Sequence, residues 1–314
     1  MVLVAISDWI EGARPRTLPA AVAPVAVGTG AAWAIRKQLV GGGHHGHLAG
    51  AAAHGIGAQV VAAVLALVVA LALQVGVNYA NDYSDGIRGT DDKRVGPTRL
   101  TAGGLATPVV VKRAAFAAFG VAAIAGLALT VLAGQWWLVA VGAAAIAAAW
   151  FYTGGTRPYG YAGLGEVFVF VFFGLVAVLG TTFTQVGRLS WAAAVGAVGV
   201  GVNACALLVV NNLRDIPTDS AAGKRTLAVR LGDAGTRRLF TALLVVSLLS
   251  VGVIVVVSGA RQVGLAMLAA LPGFRAVRTV LGGAVGRDLI LALQDTGRVA
   301  LFYGVLVGLG LGVG

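Results

Sequence analysis

Apolar residues fall into nine runs along the chain, and each run is separated from the next by a short polar connection. The runs cover about 17–35, 56–77, 114–134, 136–152, 164–184, 190–210, 239–258, 263–282 and 298–314. Most have the roughly 17–25 residues that a helix needs to cross the hydrocarbon core of a bilayer. The run at 263–282 is the weakest, because it contains Pro272, Arg275 and Arg278. The pattern predicts an all-α integral membrane protein of nine transmembrane helices.

No connection is long enough to form a soluble domain, so we expect one transmembrane domain over residues 1–314. Composition supports this class, since only 11% of residues are charged and 58% are hydrophobic. Average soluble chains carry about 25% charged residues. The N-terminal stretch lacks the charged-then-apolar order of a cleavable signal, so we expect it to remain in the mature protein. Cys205 is the one cysteine, which excludes an intrachain disulfide, and its apolar surroundings predict a buried thiol.

The net charge of +11 resembles that of a nucleic-acid-binding protein until the basic residues are placed along the chain. Of the 23 Lys and Arg residues, all but Arg36, Lys37, Arg188 and Arg261 fall in connections on the same side as the N-terminus. By the positive-inside rule this side is cytoplasmic, and nine crossings put the C-terminus outside the cell membrane. All 12 acidic residues also lie on the cytoplasmic side. The charge therefore predicts topology in a lipid bilayer, and we expect no nucleic-acid partner.

Two polar stretches follow apolar runs at corresponding positions, NYANDYSDGIRGTDD at 78–92 and NNLRDIPTDSAAGKRTL at 211–227. Each has an asparagine, an aspartate four residues later and then further aspartates. The residues concerned are Asn78, Asp82, Asp85 and Asp91 in the first stretch, and Asn211, Asp215 and Asp219 in the second. Each is followed by a similar phrase, GPTRL or GKRTL. The repetition predicts two pseudo-repeated halves that face each other across one central cavity.

Carboxylates at this density repel each other unless a cation lies between them, and hard oxygen ligands suit Mg²⁺. Basic residues in and beside these stretches are suited to neutralise a diphosphate; they are Arg88, Lys93, Arg94, Arg99, Arg214, Lys224, Arg225 and Arg230. The combination predicts a substrate with a diphosphate head and a hydrocarbon tail. The alternative is a pair of solvated loops whose aspartates cap helices, and the second copy of the pattern makes this alternative weaker. Asp92 and Asp233 are expected to be solvated.

A third polar phrase, WFYTGGTRPYGYAGLGE at 150–166, places Tyr152, Arg157, Tyr159 and Tyr161 near the cytoplasmic mouth of the cavity. An interfacial aromatic belt with an arginine anchor explains the phrase equally well. Arg14 and Arg16, in ARPRTLPAAVAP, are open to a similar alternative as an ordinary helix start. The far loop GGGHHGH at 41–47 is predicted to be a glycine-rich turn without a metal.

These phrases together resemble the UbiA superfamily of intramembrane aromatic prenyltransferases over essentially the full length of the chain. Within that superfamily, ARPRTLPAAVAPV, NDYSDGIRGTDD, YTGGTRPYGYAGLGE and RDIPTDSAAGKRTLAVRLG look like the 1,4-dihydroxy-2-naphthoate polyprenyltransferases of menaquinone synthesis. The gap from Asp85 to Asp91 is longer than in the ubiquinone branch, which favours the naphthoate branch.

The resemblance implies nine helices around a cavity that opens to the cytoplasm and sideways to lipid. It implies catalytic metal ligands at Asp82, Asp85, Asp215 and Asp219, holding two Mg²⁺ ions, with Asn78, Asp91 and Asn211 as further candidate ligands. The donor would be a polyprenyl diphosphate and the acceptor 1,4-dihydroxy-2-naphthoate, which loses CO₂ on transfer. We expect Tyr152 and one of Arg14, Arg16 and Arg157, preferably Arg157, to bind the acceptor.

Two other functions fit parts of the pattern. Another acceptor, such as a phosphoribose or a chlorin, would leave the same donor site. An ion-coupled or lipid transporter would also have intramembrane carboxylates and internal repeats. The aspartates lie at helix ends on one side and not at mid-membrane, which counts against a transporter.

Overall fold

A computed structural model describes residues 4–43, 48–89 and 99–314, and within these ranges the chain is helical without a β-strand. The α-helices are α1 Ile6–Gly12, α2 Pro19–Gly41, α3 Ile56–Ile87, α4 Pro108–Ala133, α5 Leu138–Phe151, α6 Gly165–Val169, α7 Ala177–Val186, α8 Trp191–Ala221, α9 Leu227–Ser258, α10 Ala270–Leu281 and α11 Leu289–Val313. A π-helical segment, Phe170–Val176, joins α6 to α7, and a 3₁₀ segment, Arg261–Ala269, leads into α10.

The chain is an integral membrane protein. In the described ranges seven helices are long and apolar enough to cross a bilayer, and the pair Ile6–Thr17 and Pro19–Gly41, bent by 52°, would make an eighth. Each of the nine predicted apolar runs coincides with a helical stretch. The run at 136–152 forms only the 14 residues of α5, fewer than a typical span. The all-α membrane class is confirmed, whereas the number nine stays a prediction.

Several helices extend further than their apolar runs, and α3 and α8 do so into the acidic stretches. The runs at 56–77 and 190–210 end before the acidic stretches, yet α3 continues to Ile87 and α8 to Ala221. Asp85 and Asp219 therefore lie in helices and not in loops. The helices continue because their polar side chains find partners inside the protein, which the apolar pattern does not reveal.

Successive helices run between two ends of the bundle. At one end, called the site end below, the Asn78 side-chain amide donates to the Ala13 carbonyl, and the Thr153 hydroxyl donates to the Asn81 side chain. The segment before α2, the end of α3 and the end of α5 therefore meet there.

At the opposite end, called the far end, the Lys37 ammonium donates to the Val313 carbonyl over 3.0 Å. The rings of Trp137 and Phe183 lie 5.6 Å apart at the same end. The end of α2, the start of α5, the end of α7 and the end of α11 thus lie at the far end. The C-terminus lies opposite the site.

The tightly packed core belongs mainly to α2, α8, α9 and α11. Tyr303 is fully buried there, and its hydroxyl lies 2.7 Å from the Ser250 hydroxyl. By contrast, α5 has no buried residue, although several of its side chains face the cavity described below. One side of the molecule is thus a solid helix bundle, and the other side is a thinner wall.

Cys205 lies in this core on α8. Its side chain is buried, and the thiol donates to the Glu166 carbonyl over 3.2 Å. The prediction of a buried, structural thiol is confirmed.

Small residues bring α2 and α11 into backbone contact. A Cβ atom at Gly308 would lie 2.4 Å from the Ala26 carbonyl oxygen, and one at Gly30 would lie 2.0 Å from the Gly308 oxygen. Real Cβ contacts are never this short, so both positions require glycine. Close approach through small residues is a common way for membrane helices to associate.

We expect Gly308→Ala to destabilise the fold by about 1–3 kcal/mol, because the added methyl group meets backbone that cannot move aside. Gly252→Ala in α9 is the matched control, since a Cβ atom there meets nothing within 4 Å. Thermal unfolding in detergent should show a lower Tm for the first variant alone. Equal Tm values would contradict the α2–α11 contact.

Candidate active site

An elongated cavity of about 820 Å³ runs from the site end into the bundle. Apolar side chains of α3, α4, α5 and α7 form most of its wall. Its charged residues gather at the site end and include Arg14, Arg16, Arg99 and Arg214, with Asn78 and Asn211 beside them. The cavity therefore combines a charged mouth with a hydrocarbon-lined interior, as a substrate with a polar head and an apolar tail requires.

The two acidic stretches, far apart in sequence, meet at the site end through a lysine. The Lys224 ammonium lies 3.2 Å from a carboxylate oxygen of Asp85 and 3.6 Å from one of Asp219. All three side chains are at least 85% buried. One buried cation therefore joins a carboxylate on α3 to a carboxylate on α8.

Tyr161 is the centre of this cluster. Its hydroxyl donates to the Asp85 carboxylate, and its ring lies under the Lys224 ammonium, 4.5 Å from centroid to nitrogen. The guanidinium carbon of Arg88 is 5.4 Å from the same centroid, and the Tyr161 carbonyl accepts from the Arg225 backbone amide. The sequence placed Tyr161 near the mouth but did not identify its link to Asp85.

Asp82 and Asp215 make different contacts. The two oxygens of Asp82 accept from the backbone amides of Leu100 and Thr101, each over 2.8 Å, and so fasten the chain where it returns after α3. Both oxygens of Asp215 accept from the Arg214 guanidinium, at 2.8 and 2.9 Å. These carboxylates do not line the cavity, and the residues of the Asp85–Lys224–Asp219 cluster do not line it either.

The asparagines of the two stretches both line the cavity but hold protein groups. Asn78 donates to the Ala13 carbonyl over 2.8 Å and to the Thr17 hydroxyl over 3.1 Å, which fixes the segment before α2. Asn211 accepts from Arg214 over 2.8 Å. Their contacts make them supports of the site as well as candidate ligands.

Arg88 and Arg157 lie in different surroundings. Arg88 donates to the carbonyls of Thr153 and Gly155, each over 2.5 Å, and so joins the end of α3 to the loop after α5. Arg157 is exposed and is not a cavity-lining residue. The role of Arg157 toward the acceptor therefore stays a prediction.

Other predicted residues divide between the surface and the undescribed ranges. Arg225 is exposed, and Tyr152 is half-buried in the cavity wall. Asp91, Lys93 and Arg94 lie outside the described residues, as does the histidine cluster at 44–47.

Arg14 has two unusual features. Its backbone adopts the left-handed conformation, with φ 54°, the one positive φ of a non-glycine residue in the described ranges. Such a conformation costs about 1–3 kcal/mol and is found mostly at functional sites. In addition, Nη2 of Arg14 is buried without a hydrogen-bond partner among the described residues. Arg14 is also one of the residues that line the cavity.

Aromatic rings form one part of the cavity wall beside this mouth. The Tyr159 ring stacks on Phe168 with centroids 4.0 Å apart and meets Tyr152 edge-on at 5.6 Å. The Tyr159 hydroxyl donates to the Ala148 carbonyl, and burial raises the pKa of Tyr159, so the hydroxyl stays neutral. The prediction of rings in the cavity wall is confirmed for Tyr152 and Tyr159.

The carboxylates at the site end supply some of the ligands that a magnesium ion needs. Among the described residues, no three His, Cys, Asp or Glu side chains gather into a metal-binding group. Asp85 and Asp219, however, hold one cation between them already. Mg²⁺ in such sites typically takes one or two carboxylates, with water and substrate phosphate oxygens completing its coordination. The pair therefore meets the requirement for a metal that arrives with a diphosphate.

Residues 46–288 match the sequence model of the UbiA prenyltransferase family. The chain belongs to the UbiA prenyltransferase family. As a UbiA family member, it is 50% identical over 312 residues to the 1,4-dihydroxy-2-naphthoate octaprenyltransferase of Mycobacterium tuberculosis (strain ATCC 25618 / H37Rv), with 99% of each chain covered. It is 39% identical over 246 residues to the enzyme of that name in Escherichia coli (strain K12), covering 76% of this chain and 73% of the relative.

The UbiA fold is also found in the solved structures that resemble this one. A UbiA homolog from Archaeoglobus fulgidus bound to GPP and Mg²⁺ has a TM-score of 0.64, with 98% of this chain and 100% of that chain covered. The sequence identity is 13%, so this likeness concerns the fold alone.

Proposed function

We propose that this UbiA family protein transfers a polyprenyl chain from a polyprenyl diphosphate to 1,4-dihydroxy-2-naphthoate, giving a demethylmenaquinol, CO₂ and diphosphate in menaquinone biosynthesis. The observation that carries the proposal is the pair of carboxylates, Asp85 and Asp219, joined through a buried cation at the site end, on the two helices whose Asn78 and Asn211 line the hydrocarbon-walled cavity. The relatives named for this reaction, matched over nearly the whole chain, support the same choice of acceptor.

The diphosphate of the donor binds at the site end, and its hydrocarbon tail lies in the cavity. Asp85 and Asp219 would hold Mg²⁺. Asp82 and Asp215 stay candidate ligands, and they also hold the backbone at Leu100 and Thr101 and the guanidinium of Arg214. We propose two ions, as the family resemblance implies. Bound there, Mg²⁺ supplies Lewis-acid stabilisation of the negative charge that develops on the departing diphosphate. Lys224, Arg88 and Arg225 add positive charge at the same end.

The reaction breaks the allylic C–O bond, and its electron pair leaves with the diphosphate. The resulting allylic cation is captured by the ring carbon of the acceptor that carries the carboxylate. The bond from that carbon to the carboxylate then breaks with release of CO₂, and its electrons restore the aromatic ring. Water would quench the cation, so the apolar wall formed by α3, α4, α5 and α7 excludes it.

The acceptor carboxylate binds Arg14 in this scheme. A guanidinium holds a carboxylate in a bidentate manner, and the buried Nη2 of Arg14 gains the partner that it lacks. Tyr152 and Tyr159 provide ring faces on which a naphthalene can stack. Arg16 lies in the same segment and adds charge at the mouth.

We further propose nine crossings of the cell membrane by one domain over 1–314, with the N-terminus and the site end cytoplasmic. The N-terminal segment and the C-terminus lie at opposite ends of the bundle, which favours an odd number of crossings. The helix α5 begins at the far end and ends at the site end, which supports it as a short crossing. Two pseudo-repeated halves are supported by α3 and α8, long helices that both end in the Asn/Asp pattern.

Metal removal tests this function. We expect purified protein with octaprenyl diphosphate and 1,4-dihydroxy-2-naphthoate to form product by mass spectrometry, with one CO₂ released per transfer. EDTA should abolish turnover and added Mg²⁺ should restore it, because diphosphate departure needs the metal. Full activity without a divalent metal would contradict the mechanism.

Product analysis also separates the alternatives. Transfer to other aromatic acceptors, with none to the naphthoate, would indicate a different UbiA-type enzyme. Substrate movement across a vesicle membrane without product would indicate a transporter.

A further inference from the structure

The position of Lys224 suggests more than diphosphate binding. Its ammonium lies within hydrogen-bonding distance of the Asp85 carboxylate and within 3.6 Å of the Asp219 carboxylate, and its side chain is 8% exposed. It occupies the position between these carboxylates that a divalent ion would need. In the absence of metal, the ammonium offsets the repulsion between the two buried carboxylates.

The ammonium and a metal ion compete for the same oxygens. Carboxylate oxygens that are paired with the ammonium bind a metal ion more weakly, and the ammonium repels a second cation placed beside it. Free Mg²⁺ therefore has to displace the ammonium from Asp85 and Asp219. The displaced ammonium, still buried, then needs a new anionic partner.

A diphosphate supplies that partner. Lysine is a point charge on a flexible four-carbon stem, so its ammonium can turn from carboxylates to phosphate oxygens without movement of the backbone. The backbone is held in place, because the Lys224 amide donates to the Asp219 carbonyl and the next amide donates to Tyr161. The Tyr161 ring, 4.5 Å from the ammonium, attracts it without binding it through a hydrogen bond.

We propose that Lys224 is an internal stand-in cation that keeps the metal position filled until metal and diphosphate arrive together. This inference rests on the proposed function, since it assumes a metal between Asp85 and Asp219. Binding of metal and of diphosphate is then positively coupled, and by linkage each raises the affinity for the other by the same factor. The device prevents metal from occupying the site without a donor.

The test measures binding and not turnover. Mn²⁺ affinity is determined by electron paramagnetic resonance on the purified full chain in detergent, with and without a non-hydrolysable diphosphonate. In the wild-type protein we expect weak binding of Mn²⁺ alone, and binding of Mn²⁺ on the order of tenfold tighter when the diphosphonate is present. In Lys224→Met we expect Mn²⁺ alone to bind on the order of tenfold tighter than to the wild-type protein. The diphosphonate should then raise the Mn²⁺ affinity by a smaller factor than it does in the wild-type protein.

Matched variants make the result specific. Lys112→Met removes an exposed ammonium from the same end of the bundle and should leave Mn²⁺ binding unchanged, which controls for long-range charge. Lys224→Arg retains the cation and should keep Mn²⁺ binding weak. Lys224→Gln provides a second neutral variant if Lys224→Met fails to fold.

The outcomes are distinct. The inference would be overturned if Mn²⁺ alone bound to both neutral variants no more tightly than to the wild-type protein, while the wild-type protein still bound Mn²⁺ together with the diphosphonate. That result would leave the proposed function intact. If the wild-type protein failed to bind Mn²⁺ both with and without the diphosphonate, the proposed metal site itself would be contradicted.

Discussion

Asp85→Asn and Asp219→Asn are each expected to lower kcat/KM for prenyl transfer about a hundredfold or more, as loss of a metal-binding carboxylate commonly does. Both carboxylates contact the same buried ammonium, and both face the place where we propose the metal and the diphosphate bind. Asparagine has the same shape, so the lost quantity is negative charge. Steady-state kinetics at saturating Mg²⁺, with each substrate varied in turn, measures the effect.

Asp233→Asn is the matched control. Asp233 pairs with Arg237 one turn along α9, and its side chain is 59% exposed, so it lies apart from the cluster. We expect a change within about twofold, because Asp233 contacts none of the cluster residues and an asparagine oxygen can still accept from Arg237. Small and equal effects at all three positions would instead support solvated acidic stretches without a catalytic role.

Arg14→Ala is expected to raise the KM for the naphthoate acceptor by about a factor of ten to a hundred. The reason is the loss of a charge-assisted bidentate contact to its carboxylate. The KM for the polyprenyl diphosphate should change little. If only the donor KM rises, Arg14 belongs to the diphosphate site and the acceptor assignment is wrong.

Two further substitutions sharpen this test. Arg157→Ala removes an exposed guanidinium outside the cavity and should leave both KM values unchanged. Arg14→Gly removes the same side chain and relieves the left-handed backbone, so Tm should not fall although acceptor binding is lost. A large drop in Tm for Arg14→Gly would indicate a structural role for the side chain.

Hydropathy predicted the membrane class and the position of each helical stretch, because burial in lipid demands long apolar helices whose backbone groups are satisfied internally. It did not predict that α3 and α8 continue through the acidic stretches to Ile87 and Ala221. Their polar side chains are satisfied by groups distant in sequence, such as the backbone amides of Leu100 and Thr101 for Asp82. Apolar periodicity along one segment does not contain such partners.

The charged residues of the site were predictable as a set, but their pairings were not. The repeated Asn/Asp pattern identified Asp85 and Asp219, whereas their meeting at Lys224 depends on how α3 and α8 pack. The preference for Arg157 over Arg14 relied on neighbouring tyrosines in the sequence. The structure places Arg157 outside the cavity and Arg14 in its wall, a difference set by the turn at Arg14 and by its anchoring through Asn78.

The burial of Cys205 makes the protein a convenient host for site-specific labels. Its thiol is buried and donates a hydrogen bond to the Glu166 carbonyl, so water-soluble maleimides and spin labels should not reach it in the folded protein. A cysteine introduced at the exposed residue Ser220, next to Asp219, would then carry the only reporter, and the native Cys205 would not have to be removed. Such a probe would follow motion at the end of α8 in real time while ligands are added.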